Sequence, residues 1–292
     1  MRVIITIPAY NEERTIGKVI NEINKTMNKT RYNYKVLVVD DGSLDNTKKI
    51  AKKYGAIVYS NKNNLGLIKT FKIEMKKCLE LGADIIVHTD ADGQYLAEDI
   101  PRLIKKIEEG YDLIIGSRFR FSNKNLPFLK EVGNKAFALV FSNIIKRKIT
   151  DTTSGFRAFT KNVAKEIKLI NDFTYTQEQI IRAYKMNYKI GEIAIKTRKT
   201  RKSRLFKHSL QYAFKAWINI FRVYRDYKPL NFFGIIGLFL FSIGIIIGLY
   251  FIYMHLTTGI KGHMGLLFLM LLLIFSGIQI ILFGFLADMN KK

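Results

Sequence analysis

The first part of the chain alternates short apolar runs with amphipathic stretches. "RVIITIP", "KVLVVD", "AIVYS", "DIIVHT" and "DLIIGS" read as strands, being short, rich in Ile and Val, and bounded by polar or glycine-containing segments. Helical patterns are predicted between them: from about Glu12 to Asn24, from an N-cap at Asp45 through Tyr54, from about Leu65 to Leu81, and over "AEDIPRLIKKIEEG". Continuous apolar strands separated by helices predict a mostly parallel α/β sheet covered on both faces.

From about Leu126 the pattern changes. "LPFLKEVGNKAFALVFSNIIKRK" is helical but too apolar for one buried stripe. "QYAFKAWINIFRVY" gathers Tyr212, Ala213, Phe214, Trp217, Ile218, Ile220, Phe221 and Tyr224 near one face, with Lys215, Asn219, Arg222 and Arg225 elsewhere. A basic amphipathic helix of this kind suits a lipid headgroup layer. Two uncharged apolar runs follow, Phe232 to Met254 and Gly265 to Ala287, each long enough to cross a bilayer. The link between them is short, and "FRVYRDYK" and "NKK" flank them outside. The positive-inside rule then predicts a multi-pass protein of the cell membrane, with both termini and the large domain in the cytoplasm. The expected division is a catalytic domain over 1–205, a juxtamembrane interface helix over 206–229 and two transmembrane helices over 230–288. A single cysteine, Cys78, excludes a disulfide framework.

Charge sharpens the picture. The chain carries 48 Lys+Arg against 24 Asp+Glu, a net charge of +24. Yet carboxylates recur at the ends of predicted strands: "PAYNEE" after the first, "DDGSLD" after the second, "DADGQ" after the fourth; "GSR" follows the fifth. In parallel α/β sheets, ligands bind outside the carboxyl ends of the strands. Asp90 and Asp92 are two residues apart, so in extended chain they point the same way. With Gln94 they form an oxygen donor set that suits Mg²⁺ or Mn²⁺ better than Zn²⁺. His88 shares their side if the strand stays extended, and reads as a packing residue. The same acidic rim would repel a phosphate backbone, which argues against nucleic acid as the partner of the basic surface.

"PAYNEE" at 8–13, "DDGSLDNT" at 40–47, "DADGQ" at 90–94, "GSR" at 116–118 and "TDTTSGFRAF" at 150–159 together resemble glycosyltransferase family 2. Within it they resemble the polyprenyl-phosphate glycosyl synthases, the dolichyl-phosphate mannose and glucose synthase group. The resemblance implies a GT-A, Rossmann-like fold, a GDP- or UDP-linked sugar donor, a divalent metal, a polyprenyl (dolichyl) phosphate acceptor, and inversion at the anomeric carbon. It implies that Pro8, Ala9, Tyr10 and Glu12 line the nucleotide pocket and that Asp40, with Asp41, holds the base or ribose. Asp90, Ala91 and Asp92 would meet the donor diphosphate, with Asp90, Asp92 and Gln94 on the metal. Arg118 would contact phosphate, completing a catalytic set of Asp90, Asp92 and Arg118. In the acceptor-side segment "SGFRAF", two readings of Asp151 and Arg157 stand: a structural ion pair, or substrate contact.

The assigned reaction is chemically coherent. A phosphate monoester, with a second pKa of about 6, is already ionised near neutral pH and can attack a sugar without a general base. It needs cations of its own, and "KTRKTRKSRL" supplies Arg198, Arg201, Ser203 and Arg204. Lys130 is a further candidate, but it sits in "LPFLKEVGN" where relatives often carry consecutive arginines, and Glu131 opposes that role. The basic loop is also about two residues shorter than usual, so Arg198 and Arg201 compete for the same role. Other readings are a processive polysaccharide synthase, whose Q-x-x-R-W signature "QIIRA" matches except at Ala183, and transfer to another lipid acceptor. A membrane-anchored nucleic-acid-binding module is the non-enzymatic alternative.

Overall fold

The computed structural model describes residues 1–119, 138–139, 141–143, 145–146, 148–166, 175–198, 218, 221–222, 224–257 and 263–290. The chain forms two compact units, Met1–His208 and Ser209–Lys292.

In the first unit the strands are β1 (Arg2–Ala9), β2 (Asn33–Asp40), β3 (Ile57–Ser60), β4 (Ile85–His88), β5 (Leu113–Ser117), β6 (Arg157–Thr160) and β7 (Ile190–Ala194). They form one sheet in the order β3-β2-β1-β4-β6-β5-β7. Every pairing is parallel except the two made by β6, which runs antiparallel between β4 and β5. The five strands expected from the apolar runs are present; β6 and β7 are additional. "RAFT" carries a buried arginine in a four-residue strand, so it offers too little apolar pattern to register as one.

Helices α1 (Ile16–Met27), α2 (Thr47–Lys53), α3 (Leu67–Glu80), α4 (Ile100–Glu108), α5 (Lys161–Glu166) and α6 (Tyr175–Lys185) accompany the sheet. Alternation along β1 sends Val3, Ile5 and Ile7 into one core, which α1 closes with Ile16, Ile20 and Ile23 and α4 with Leu103 and Ile104. Each fully buried aliphatic side chain of this kind contributes roughly 1.5–3 kcal/mol relative to exposure. Thr6, on the opposite side of β1, meets α3 instead.

Helix α1 begins four residues later than its pattern predicts. The amides of Asn11, Glu12 and Glu13 donate to side chains of the next loop, Ser43, Thr47 and Asp45, rather than to water at a helix start. Thus two loops at the carboxyl edge are laced together. Asp45 also accepts from the amide of Thr47, so it serves the start of α2 from one position before the cap residue Asn46.

The second unit contains α7 (Pro229–Thr257) and α8 (Met264–Met289), with mean hydropathies of 2.7 and 2.8, each long and apolar enough to cross a membrane. They pack through glycine: a Cβ on Gly237 would lie 2.6 Å from the carbonyl oxygen of Gly277, and one on Gly277 would lie 2.7 Å from that of Gly237. Only residues without a Cβ let the two backbones approach this closely. The helices predicted over 126–148 and across 206–229 lie largely outside the described residues.

Candidate active site

Parallel pairing sets the carboxyl ends of β1, β2 and β4 side by side, with Ala9 opposite Asp40 and Thr6 opposite His88. Reversal of β6 brings the segment before it, 150–156, to that same edge. Two residues that the sequence separates widely, Asp90 and Gly155, therefore meet. A Cβ on Gly155 would stand 3.1 Å from Asp90 Oδ1 and 3.2 Å from the Tyr175 hydroxyl, a tight fit that a larger residue would meet only by shifting those side chains.

Asp90 lies just past β4. Burial, with Asp92 and Glu74 nearby, pushes its carboxyl up to about 6, although His88 and Arg118 pull the other way. Asp92 is partly exposed, and its Oδ1 accepts from the Gln94 amide at 2.9 Å across a turn in which Gly93 has φ +75°. Asp90, Asp92 and the Gln94 amide oxygen make an all-oxygen set. Among the described residues no three His, Cys, Asp or Glu side chains form a complete metal cage. A partial oxygen shell suits a hard divalent ion that completes its coordination with water and phosphate oxygens.

At the end of the neighbouring strand, Pro8 and Ala9 close β1, Tyr10 is exposed and Glu12 sits in the laced loop. Asp40 is buried, and its Oδ1 accepts from the Ser43 amide at 3.1 Å. Asp41 does a different job: it accepts from the Asn61 side chain and from the amides of Leu65 and Gly66, each at 2.9 Å. Its carboxylate organises the loop after β3.

Arg118 leaves β5 and grips Asp151 through two parallel bonds, Nε to Oδ2 at 2.7 Å and Nη2 to Oδ1 at 3.0 Å, while Nη2 also donates to Thr153 at 2.7 Å. Asp151 thus pairs with Arg118, not Arg157. Arg157 is fully buried and donates to the carbonyls of Ser154, Thr152 and Thr176 and to Gln179 Oε1. Burial lowers its pKa to about 10, although Tyr175 and the Asp151 carboxylate pull the other way, so the guanidinium still carries its charge at neutral pH. Gln179 is consumed by this contact and Arg182 by Glu178, which gives the "QIIRA" residues structural partners.

Of the acceptor-phosphate candidates, Arg198 is described: its amide donates to the Gln94 carbonyl at 2.9 Å and its guanidinium pairs with Glu22 at 2.7 Å. The structure therefore brings Arg198 beside the Asp92–Gln94 turn. Lys130, Arg201, Ser203 and Arg204 lie outside the described residues.

Several participants escape the sequence reading. Glu192 of β7 accepts from the amides of Thr150 and Asp151, fixing the segment that carries Asp151. Tyr95 accepts from the Gly155 amide at 3.2 Å and stacks on Phe156. Beneath Asp90, His88 and Glu74 form a fully buried pair. Burial opposes protonation of His88, but the charge of Glu74 outweighs it and raises the imidazole pKa. The one legible signal was Glu74 itself, a carboxylate on the buried stripe of α3 that also holds Phe71, Met75 and Cys78.

Fold and site together define a mostly parallel α/β domain with acidic side chains gathered at the sheet's carboxyl edge. The chain belongs to glycosyl transferase family 2, whose family model matches residues 4–168. It is 34% identical over 217 residues to the UDP-N-acetylglucosamine–dolichyl-phosphate N-acetylglucosaminyltransferase of Methanococcus voltae, covering 66% of this chain and 84% of that protein. It is 30% identical over 192 residues to the dolichyl-phosphate hexose transferase of Haloferax volcanii, covering 65% of this chain and 80% of that one. Among solved structures, glucosyl-3-phosphoglycerate synthase from Mycobacterium tuberculosis, in complex with Mn²⁺, UDP and phosphoglyceric acid, superposes with a TM-score of 0.57 at 17% identity, covering 75% of this chain and 78% of that one. The fold is therefore GT-A-like, and the chain is a glycosyltransferase.

Proposed function

We propose that this glycosyltransferase moves a sugar from a GDP- or UDP-linked donor to a polyprenyl (dolichyl) phosphate at the cytoplasmic membrane face, with inversion and with Mg²⁺ or Mn²⁺. The observation that carries this reading is the meeting of the Asp90–Asp92 segment with the 150–156 segment at one sheet edge, in a chain that ends in two bilayer-length apolar helices. The names of the relatives from Methanococcus voltae and Haloferax volcanii supply the acceptor class.

Asp90, Asp92 and Gln94 would hold the divalent ion on the donor diphosphate, where it neutralises the charge of the leaving nucleoside diphosphate. Pro8, Ala9, Tyr10, Glu12, Asp40 and Ala91 would bound the nucleotide, with Asp41 shaping the adjoining loop. Arg118, held rigidly by Asp151, would present positive charge toward the diphosphate without needing to reorganise. The acceptor phosphate is already anionic, so no side chain has to remove a proton. Its attack on the anomeric carbon, opposite the departing diphosphate, is a single displacement and inverts that centre. Arg198, with Lys130, Arg201, Ser203 and Arg204, would neutralise the acceptor.

The test is incubation of the full chain with labelled nucleotide-sugar and polyprenyl phosphate, with and without EDTA. Labelled lipid that forms only without EDTA, survives mild alkali and is cleaved by mild acid supports the reading. Labelled polymer, or no transfer from any sugar donor, overturns it.

A further inference from the structure

Beneath the metal-side turn, four elements contribute to a line of buried polar contacts. The Thr6 hydroxyl on β1 donates to Glu74 Oε1 on α3 at 2.7 Å. Glu74 Oε2 faces His88 Nε2 on β4 at 3.4 Å, and both side chains are fully buried. His88 Nδ1 lies 2.8 Å from the Gly155 carbonyl. A carbonyl can only accept, so Nδ1 carries hydrogen and donates. The ring orientation is thereby fixed, with Nε2 toward the carboxylate; among the described residues neither Nε2 nor Oε2 has a hydrogen-bond partner, so the two meet as a close polar contact. Phe71 and Tyr175 pack on the ring, with centroids 5.3 Å and 5.6 Å away.

Stability alone is a poor reason for such a pair. A buried ionic or strongly polar pair is commonly no better for stability than apolar side chains of the same volume, because desolvation offsets the attraction. What it does supply is a directed bond. Here that bond ends on Gly155, the residue whose backbone packs so closely against the Asp90 carboxylate that a Cβ there would come within 3.1 Å of Oδ1.

We propose that His88, oriented by Glu74, is a positioning residue that ties the Gly155 segment to β4 and so fixes the Asp90 carboxylate for the divalent ion. This rests on the metal role proposed for Asp90. His88 touches neither substrate nor ion; it acts through the Gly155 carbonyl. Groups that orient metal ligands in this way commonly cost about 10–100-fold in metal affinity when removed.

The experiment measures Mn²⁺ binding to the full chain in detergent by electron paramagnetic resonance, without substrates, alongside kcat and KM. His88→Leu keeps bulk but removes the donor. His88→Asn is smaller and leaves more space, but its side-chain amide can replace Nδ1 as donor to Gly155. His88→Leu is expected to weaken Mn²⁺ binding by about tenfold or more and to lower kcat more than the donor KM, whereas His88→Asn stays within about threefold of wild type. A purely space-filling role predicts the opposite order. Glu74→Gln, which keeps the Thr6 contact and the volume, gives an intermediate loss and serves if His88→Leu does not fold. Wild-type Mn²⁺ affinity in both His88→Leu and Glu74→Gln, or a His88→Asn protein as weak as His88→Leu, overturns the inference. Absence of Mn²⁺ binding by the wild type overturns the metal reading itself, and this inference with it.

Discussion

The guanidinium of Arg118 and the carboxylate of Asp151 meet in a two-bond clamp that joins the end of β5 to the segment leading into β6. Asp151 is fully buried and Arg118 largely so, with 0% and 17% of their side chains exposed. Burial opposes ionisation of Asp151, but Arg118 and the converging amide donors outweigh it and hold its pKa below the usual carboxylate value. Removing one partner of a buried pair typically costs about 3–5 kcal/mol. Asp151→Ala should therefore lower the unfolding free energy obtained from urea titration by that order. A group with a depressed native pKa stabilises the fold above the unfolded-state pKa and loses that contribution as pH falls through the native one. The difference between wild type and Asp151→Ala should accordingly shrink in acid; a difference that widens below pH 4 would count against the clamp.

Asp92→Ala should abolish metal-dependent transfer while leaving the fold intact. The residue is partly exposed, and its hydrogen bond across the turn to the Gln94 amide is local. Loss of charge neutralisation worth several kcal/mol corresponds to a rate fall of roughly 10³-fold. Circular dichroism checks the fold and the labelled-lipid assay checks the rate; retained activity would dismantle the assignment of the acidic pair.

Arg198 offers a finer test on the acceptor side. Its pairing with Glu22 is at the surface, where such pairs contribute at most about 1 kcal/mol, so the guanidinium can exchange partners cheaply. Arg198→Ala should raise KM for polyprenyl phosphate and leave KM for the nucleotide-sugar unchanged. Glu22→Ala should do the reverse to the acceptor, lowering its KM. If both variants alter only donor kinetics, Arg198 belongs to the other half of the site.

The apolar hairpin can be tested through its glycines. A Cβ on Gly277 would approach Gly237 O to 2.7 Å and the Phe241 amide nitrogen to 2.8 Å, so Gly277→Leu must separate α7 from α8. Overpacking of this kind costs typically about 1–3 kcal/mol. Cysteine pairs placed across the two helices should cross-link efficiently in the parent and poorly in Gly277→Leu. Equal cross-linking would show that the close approach is dispensable.

Much of this architecture was legible because it is written in local pattern. The Ile- and Val-rich runs marked β1, β2, β3, β4 and β5, and the uncharged stretches marked α7 and α8. The Asp90–Asp92 spacing pointed to one centre because it follows a strand. What stayed hidden depends on partners distant in sequence. Nothing within "RAFT" says that it runs antiparallel between β4 and β5; that follows from pairing with strands about seventy and forty residues earlier. For the same reason the sequence leaves open whether Asp151 and Arg157 pair or meet substrate, and does not show that the partner of Asp151 stands at the end of β5. The hydrogen bonds of Asp41 to the loop after β3 were hidden in the same way, because they are spread over Asn61, Leu65 and Gly66.

The reversed strand β6 also decides where the chain leaves the site's edge and where it re-enters it. Because β5 runs toward the site and β6 runs away from it, everything between Ser117 and Arg157 is an excursion that departs from and returns to the same edge. Its two ends are riveted together by Arg118 and Asp151. The clamp thereby fixes where the chain leaves this edge and where it comes back, and it does so with side chains rather than with a further pair of strand hydrogen bonds.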